Sequence, residues 1–227
     1  MHLDELNKKL GVEIDAELLT LALTHSSFAY EKGGQDNERL EFLGDSILGY
    51  LVAVSVFNDH SELAEGELTK LKNAVVSAQA LATAAQRLDL GKHLRLGRGE
   101  EQTEGRKKIN VLADTFEAVL GAAYLSGGID AASIIVSKHV LPLLADPDAI
   151  REAADPKTTL GERLAKLKMD SVRYEVEGLG PEHERIYTAT CFSGQEKLSN
   201  GTGPTIRRAE TQAAIEALRK LNEQANA

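Results

Sequence analysis

Tryptophan is absent from this 227-residue sequence, and cysteine occurs once, as Cys191. A single cysteine excludes an intramolecular disulfide framework, so the fold rests on its apolar core and a reducing compartment is expected. Cys191 sits in an alternating run and reads as a core residue. No uninterrupted apolar stretch approaches the ~20 residues that span a bilayer. The opening Met1-His2-Leu3-Asp4-Glu5 is charged, unlike a secretory signal. These absences predict a cytoplasmic protein with no membrane contact. Positive charge is also in short supply: 26 Lys and Arg face 35 Asp and Glu, a net charge of −9. Such a balance argues against loose, non-specific binding to nucleic acid, while leaving room for a local site. The deficit is uneven, because residues 1–154 carry 15 basic against 24 acidic side chains and residues 155–227 carry 11 of each. With 42% hydrophobic residues, the chain is suited to one medium domain and a small one.

What the chain does have is acid inside apolar helices. The run Glu38-Arg39-Leu40-Glu41-Phe42-Leu43-Gly44-Asp45-Ser46 puts carboxylates at i, i+3 and i+7. At helical pitch Glu38, Glu41 and Asp45 fall within about 60° of one another, and like charges so stacked destabilise an isolated helix. Leu40, Leu43, Ile47, Leu48, Leu51 and Val52 run around them, too apolar for a solvated helix. A second pair, Asp114 and Glu117, stands at i, i+3 in the equally apolar Val111–Leu120. Packed face to face, the two helices would join Glu41, Asp45, Asp114 and Glu117. Carboxylates without His or Cys suit a hard ion, Mg²⁺ with Mn²⁺ as substitute, rather than zinc. A solvated face is the plain alternative for one acidic pair; two pairs in apolar helices favour a shared cation.

From Leu3 to about Leu144 the periodicity is helical, with no strand pattern, which predicts an all-α first domain over 1–145. Asn37 is suited to cap the acidic helix, which is expected to run to about Phe57. Glu67 to about Leu88 reads as one or two helices. Residues 97–108 lack an apolar anchor and read as a mobile loop, whose Arg106, Lys107 and Lys108 meet either phosphate or solvent. The Asp114 helix is expected to stop near Gly127-Gly128. Residues 146–154 form a polar, proline-flanked linker. In 155–227 the period changes: a helix over Thr158–Lys168, alternation at Val172, Tyr174 and Val176, a turn at Gly178–Pro181, a second strand over Ile186–Phe192, a short third at Glu196–Ser199, and a helix over Ala209–Leu221. The fold class is therefore α+β, an all-α domain followed by a small α-β-β-β-α domain.

The nine residues Glu38–Ser46 resemble the signature of ribonuclease III, the bacterial type of double-strand-specific RNA endonuclease. Leu21–Ser27, Glu65-Gly66-Glu67-Leu68 and Leu112–Ala118 stand in matching order, so the resemblance covers nearly the whole chain. The last domain is similar to a double-stranded-RNA-binding domain through Asp155-Pro156-Lys157-Thr158, Gly180-Pro181-Glu182-His183, and Gly201-Thr202-Gly203 leading into Arg207-Arg208-Ala209-Glu210. The resemblance implies a Mg²⁺-dependent endoribonuclease that cuts both strands of duplex RNA, leaves 5′-phosphates and short 3′ overhangs, and processes ribosomal RNA precursors and messenger RNA. It implies Glu41, Asp45, Asp114 and Glu117 as metal ligands, with Asp45 and Glu117 catalytic. Glu38 and Glu65 match auxiliary acidic positions, though Glu65 between Glu62 and Glu67 also suits a solvated surface. Phe42 matches a homodimer-interface position, against core packing as the alternative, and His25 reads as structural. Lys157, Glu162, His183, Arg207 and Arg208 match RNA-binding positions. Two departures weaken that set: Gly161 stands where the family has glutamine, and Ile206 where it has a basic residue. A non-cleaving duplex-RNA binder on the same fold is the rival reading, but such a protein would be expected to lose acids that this chain keeps.

Overall fold

The computed structural model describes residues 3–145, 155–181 and 185–225. The chain folds as two compact units, Met1–Ile150 and Arg151–Ala227. The linker expected over 146–154 lies outside the described residues, as does His183.

The first unit is helical: α1 (Leu3–Leu10), α2 (Ala16–Ala22), α3 (Ser26–Lys32), α4 (Glu38–Asp59), α5 (Glu65–Val75), α6 (Ala78–Arg87), α7 (Leu90–His93), α8 (Arg98–Gln102) and α9 (Ile109–His139), with 3₁₀ turns at Gly105–Lys107 and Leu141–Ala145. Local chemistry sets several starts. Asp15 accepts from the N–H groups of Glu17 and Leu18, and Ser77 accepts from that of Ala80, so α2 and α6 begin on capped ends. Helix α9 is broken where expected: Gly128 has φ +70°, outside helical space. Helices α4 and α9 are each long and apolar enough to cross a membrane on length and composition alone. Here they pack on each other and bury Leu40, Ile47, Leu48 and Val52 of α4 with Phe116, Val119 and Leu120 of α9 in one core.

Where α4 crosses α9, backbone meets backbone. A Cβ added to Gly44 would lie 1.8 Å from the Glu117 carbonyl oxygen, and one added to Gly121 would lie 2.3 Å from that of Leu40. Glycine inside a helix costs about 1 kcal/mol against alanine, and here it permits an approach that no other residue allows.

Residues 97–108 are not the loop that their lack of apolar residues predicts. They form α8 and a 3₁₀ turn, anchored by polar groups. Arg106 donates from Nη1 to the carbonyls of Gly91 and Leu94, both at 2.8 Å, and from Nε to Glu101. Lys107 pairs with Glu104 and Lys108 with Glu100. The anchor is a guanidinium on backbone carbonyls, which hydrophobic periodicity does not register.

The second unit has the expected order: α10 (Pro156–Lys166), β1 (Val172–Leu179), β2 (Ile186–Ser193), β3 (Glu196–Gly203) and α11 (Ile206–Ala225). The strands form an antiparallel sheet in the order β1-β2-β3, with Val172 opposite Ser193 and Tyr187 opposite Gly203. Its core joins Leu160 and Leu164 of α10, Ala189 and Cys191 of β2, and Ala209, Ala213, Ala217 and Leu218 of α11. The elements run longer than expected. Gly178 and Leu179 belong to β1 rather than a turn, β3 continues to Gly203, and α11 begins at Ile206. Ladder hydrogen bonds carry strands through Gly178, Gly201 and Gly203, whose lack of a side chain hides them from a pattern of alternation. At Gly201 a Cβ would stand 2.1 Å from the Ala213 N, so this glycine lets α11 lie close on the sheet.

Candidate metal centre

The α4–α9 crossing brings three acids together. Glu41 lies in the first turn of α4, its N–H donating to the Asn37 carbonyl at 2.9 Å. Asp114 and Glu117 lie one turn apart on α9. One carboxylate oxygen from each of Glu41, Asp114 and Glu117 lies within 4.8 Å of the other two, and all three residues are half-buried. Burial pushes Glu117 up to about 8, with the charges of Asp45, Asp114 and Glu41 adding to it. Glu41 is raised by burial, then by Asp114, Glu38, Asp45 and Asp36. Asp114 is raised by burial and lowered by His25. Three oxygen donors that burial raises, two of them (Glu41 and Glu117) with neighbouring carboxylates adding to it, fit a hard divalent cation: the donor type is right, and the charge calls for compensation.

Asp45, expected as the fourth ligand, is not in this group. It is exposed, one turn further along α4. Its field still raises both Glu41 and Glu117. Glu38 is exposed and acts on Glu41 in the same way. Glu65, exposed at the start of α5, accepts from Thr69 Oγ1 at 2.9 Å and is outside the group. Phe42 is 78% exposed, which excludes core packing. It borders a groove of about 800 Å³ shared with Leu18, Leu21, Leu43 and Leu125.

In the second unit the expected RNA contacts separate into two kinds. Arg207, Arg208 and Glu162 are exposed. Lys157 is engaged internally: its Nζ pairs with Glu210 at 2.6 Å and lies 5.0 Å from the centre of the Tyr174 ring, tying α10 to α11. The charge expected to meet phosphate thus holds the helix pair together. A Cβ on Gly161 would meet nothing within 4 Å, so the surface there is open, and Ile206 is half exposed.

Three contributors were not evident from spacing. Gly44 and Gly121 set the depth of the crossing; a glycine within an apolar helix is the signal that would have marked them. His25 does more than fill space. Its imidazole Nδ1 caps α3 by accepting from the Ser27 N–H at 3.2 Å, and its charge reaches Asp114.

Comparison with known proteins points to one family. Residues 15–144 match the family described as ribonuclease-III-like, and residues 156–221 match the double-stranded RNA binding motif. Ribonuclease 3 of Leifsonia xyli is 50% identical over 211 residues, covering 92% of this chain and 89% of that protein. Ribonuclease 3 of Thermobifida fusca is 44% identical over 218 residues, 96% of this chain and 91% of the relative. Among solved structures, a nuclease domain of ribonuclease III from Campylobacter jejuni, described for flexibility in a region involved in dimer formation, aligns with TM-score 0.58 and 36% identity. It covers 61% of this chain and 96% of that one.

Proposed function

The chain belongs to the ribonuclease III family, and from that premise we propose that it is a double-strand-specific endoribonuclease using Mg²⁺, with Mn²⁺ able to substitute. The observation that carries this reading is the convergence of Glu41, Asp114 and Glu117 at the α4–α9 crossing, on a chain that also holds a duplex-RNA-binding fold. When bound, divalent ions at such a centre stabilise charge on the attacking and leaving oxygens of an in-line displacement and bring bound water into its titrating range near neutrality. The chain's own residues hold and aim that chemistry. Glu41 and Asp45 of α4 and Asp114 and Glu117 of α9 are the ligands. Glu117, the most strongly shifted acid, and Asp45 at the rim are the catalytic pair. Glu38 and Glu65 extend the acidic margin toward substrate or a further ion.

The proposed products are duplexes with 5′-phosphates and short 3′ overhangs, and the proposed substrates are ribosomal RNA precursors and messenger RNA in the cytoplasm. We assign 1–145 as the nuclease domain, 146–154 as linker and 155–227 as the RNA-binding domain. In the last, Glu162, His183, Arg207 and Arg208 face RNA, while Lys157 orders the helices that present them. The exposed Phe42 beside an apolar groove supports a homodimer, which would set one acidic centre against each RNA strand. The deciding experiment incubates purified protein with a perfect RNA duplex, with Mg²⁺ and with EDTA. Cleavage is expected only with Mg²⁺; intact duplex under both conditions would leave a binding protein.

A further inference from the structure

Asn37 directly precedes the acidic helix and has capping chemistry, yet its side chain makes no cap. The residue is 3% exposed, and its Nδ2 donates to the carbonyl of Ala22, the last residue of α2, at 3.2 Å. Its backbone N–H donates to the Thr24 carbonyl at 2.9 Å. The N–H of Glu38 is served instead by Asp36 Oδ1 at 3.2 Å. The side chain best suited to cap α4 is thus turned inward, and a neighbouring carboxylate takes over the helix start.

The diversion matters because of how α4 meets α9. At Gly44 and Gly121 the helices touch through backbone alone. Around that contact Leu40, Ile47 and Leu48 of α4 share a core with Phe116, Val119 and Leu120 of α9, which holds the body of the helix. The first turn of α4, which carries Glu41, has an attachment of its own at its N-terminal end. Asn37 is two turns before Gly44 and one turn before Glu41. It grips the end of α2, which itself packs on α9, the helix carrying Asp114 and Glu117. The gripped segment is rigid in turn. Thr24 and Arg95 form a parallel bridge, Arg95 Nη1 donates to Thr24 Oγ1 at 3.1 Å, and that hydroxyl donates to the Thr20 carbonyl at 2.7 Å.

We propose that Asn37 is a positioning residue of the metal centre: its hydrogen bond to Ala22 fixes the N-terminal turn of α4 and so holds Glu41 in range of Asp114 and Glu117. This rests on the reading of the three acids as a divalent-metal site. Groups that orient metal ligands are worth about ten- to hundredfold in metal affinity, and an effect of that size is expected here.

The test uses the full-length protein, with Mn²⁺ binding in the absence of RNA followed by the EPR signal of the free ion. In parallel, the Mg²⁺ concentration for half-maximal cleavage is titrated. Asn37→Ala removes the bond. Asn37→Ser removes it too, being too short to reach Ala22, but keeps a capping hydroxyl at the helix start. Ser77→Ala, which loses the α6 cap, serves as a control for lowered stability. Both Asn37 variants should bind Mn²⁺ about ten- to hundredfold more weakly, need correspondingly more Mg²⁺, and recover most of kcat at saturating metal. Ser77→Ala should melt earlier with unchanged Mn²⁺ affinity. A folded Asn37→Ser variant with wild-type Mn²⁺ affinity overturns the proposal, and so does a Ser77→Ala variant that loses as much affinity. If both Asn37 variants fail to fold, Asn37 is a folding residue and the proposal is again overturned. A wild-type protein that binds no Mn²⁺ and cuts in EDTA would instead refute the metal reading itself, a result no Asn37 variant is needed to recognise.

Discussion

In the helical unit the charges that matter are half-buried and crowded. Glu41, Asp114 and Glu117 converge where two helices touch through glycine, and each is held above the ordinary carboxylate range. In the small unit the counterparts are spread over the surface. Arg207, Arg208 and Glu162 are exposed, and Gly161 faces open space. The first arrangement depends on position to a fraction of an ångström, because low-dielectric repulsion and ligand geometry both vary steeply with distance. The second sums separate phosphate contacts that water screens and that substitute for one another. One unit should therefore respond to small changes abruptly, the other gradually.

The largest contrast is expected at Glu117. Glu117→Gln keeps the shape and removes the charge, so duplex cleavage should fall below about a tenth of the wild-type rate while RNA binding, measured by gel shift, is retained. The same variant tests the electrostatics without metal. The folded protein keeps the Glu117 proton up to about pH 8, whereas an unfolded chain releases it near the ordinary 4.5. Stability from this group is thus fully present below 4.5 and is lost as pH rises through about 8. In EDTA the wild-type melting temperature should drop over that window more than that of Glu117→Gln. Parallel curves would show that burial of this carboxyl carries no cost.

Next in size is a matched pair of glycine substitutions. Gly44→Ala must part the α4–α9 crossing and should cost about 3 kcal/mol, lowering thermal stability and Mg²⁺-dependent cleavage together. Gly161→Ala, on an open helix face, should stabilise the protein by up to ~1 kcal/mol through helix propensity. Effects of the same sign at both sites, read from thermal melts, would erase the contrast between the units.

Removing residues 155–227 should leave a folded helical unit that still cuts duplex RNA at low salt. Its activity should fail at a salt concentration at least about twofold lower than for the whole chain. Equal cleavage across the salt series would mean that the small unit does not help capture substrate.

The smallest effect separates two lysine and arginine roles. Lys157→Ala should cost about 0.5–1 kcal/mol of small-unit stability through its pair with Glu210, with little change in the salt slope of RNA binding. Arg208→Ala should reduce that slope by about one and leave stability alone. The reverse pattern would return Lys157 to the RNA-facing set.

Much of this was legible in the residues. Alternation at Val172, Tyr174 and Val176 and the apolar helices around Glu41 and Asp114 marked the two folds, because burial imposes a period on the side chains it selects. The carboxylates of the centre were legible because acids inside apolar helices need a reason to be there. Residues 97–108 were misread as a loop because Arg106 anchors them through carbonyls of Gly91 and Leu94, and a hydrogen bond to backbone leaves no mark on the acceptor's identity. The pairing of Lys157 was hidden for a related reason: a lysine's charge is visible in the sequence, but its partner, Glu210, lies 53 residues away.

The sequence by itself determined which residues are acidic, which helices are apolar and where the period changes from helix to strand, since these are local properties of side-chain type and spacing. Only the tertiary structure decided that Glu41, Asp114 and Glu117 converge with Asp45 at their rim, that Asn37 grips Ala22 instead of capping α4, and that glycines at positions 44 and 121 let the crossing close. Those outcomes depend on distances between segments far apart in the chain, and it is distance, through excluded volume and Coulombic repulsion, that turns four acids on two helices into a site.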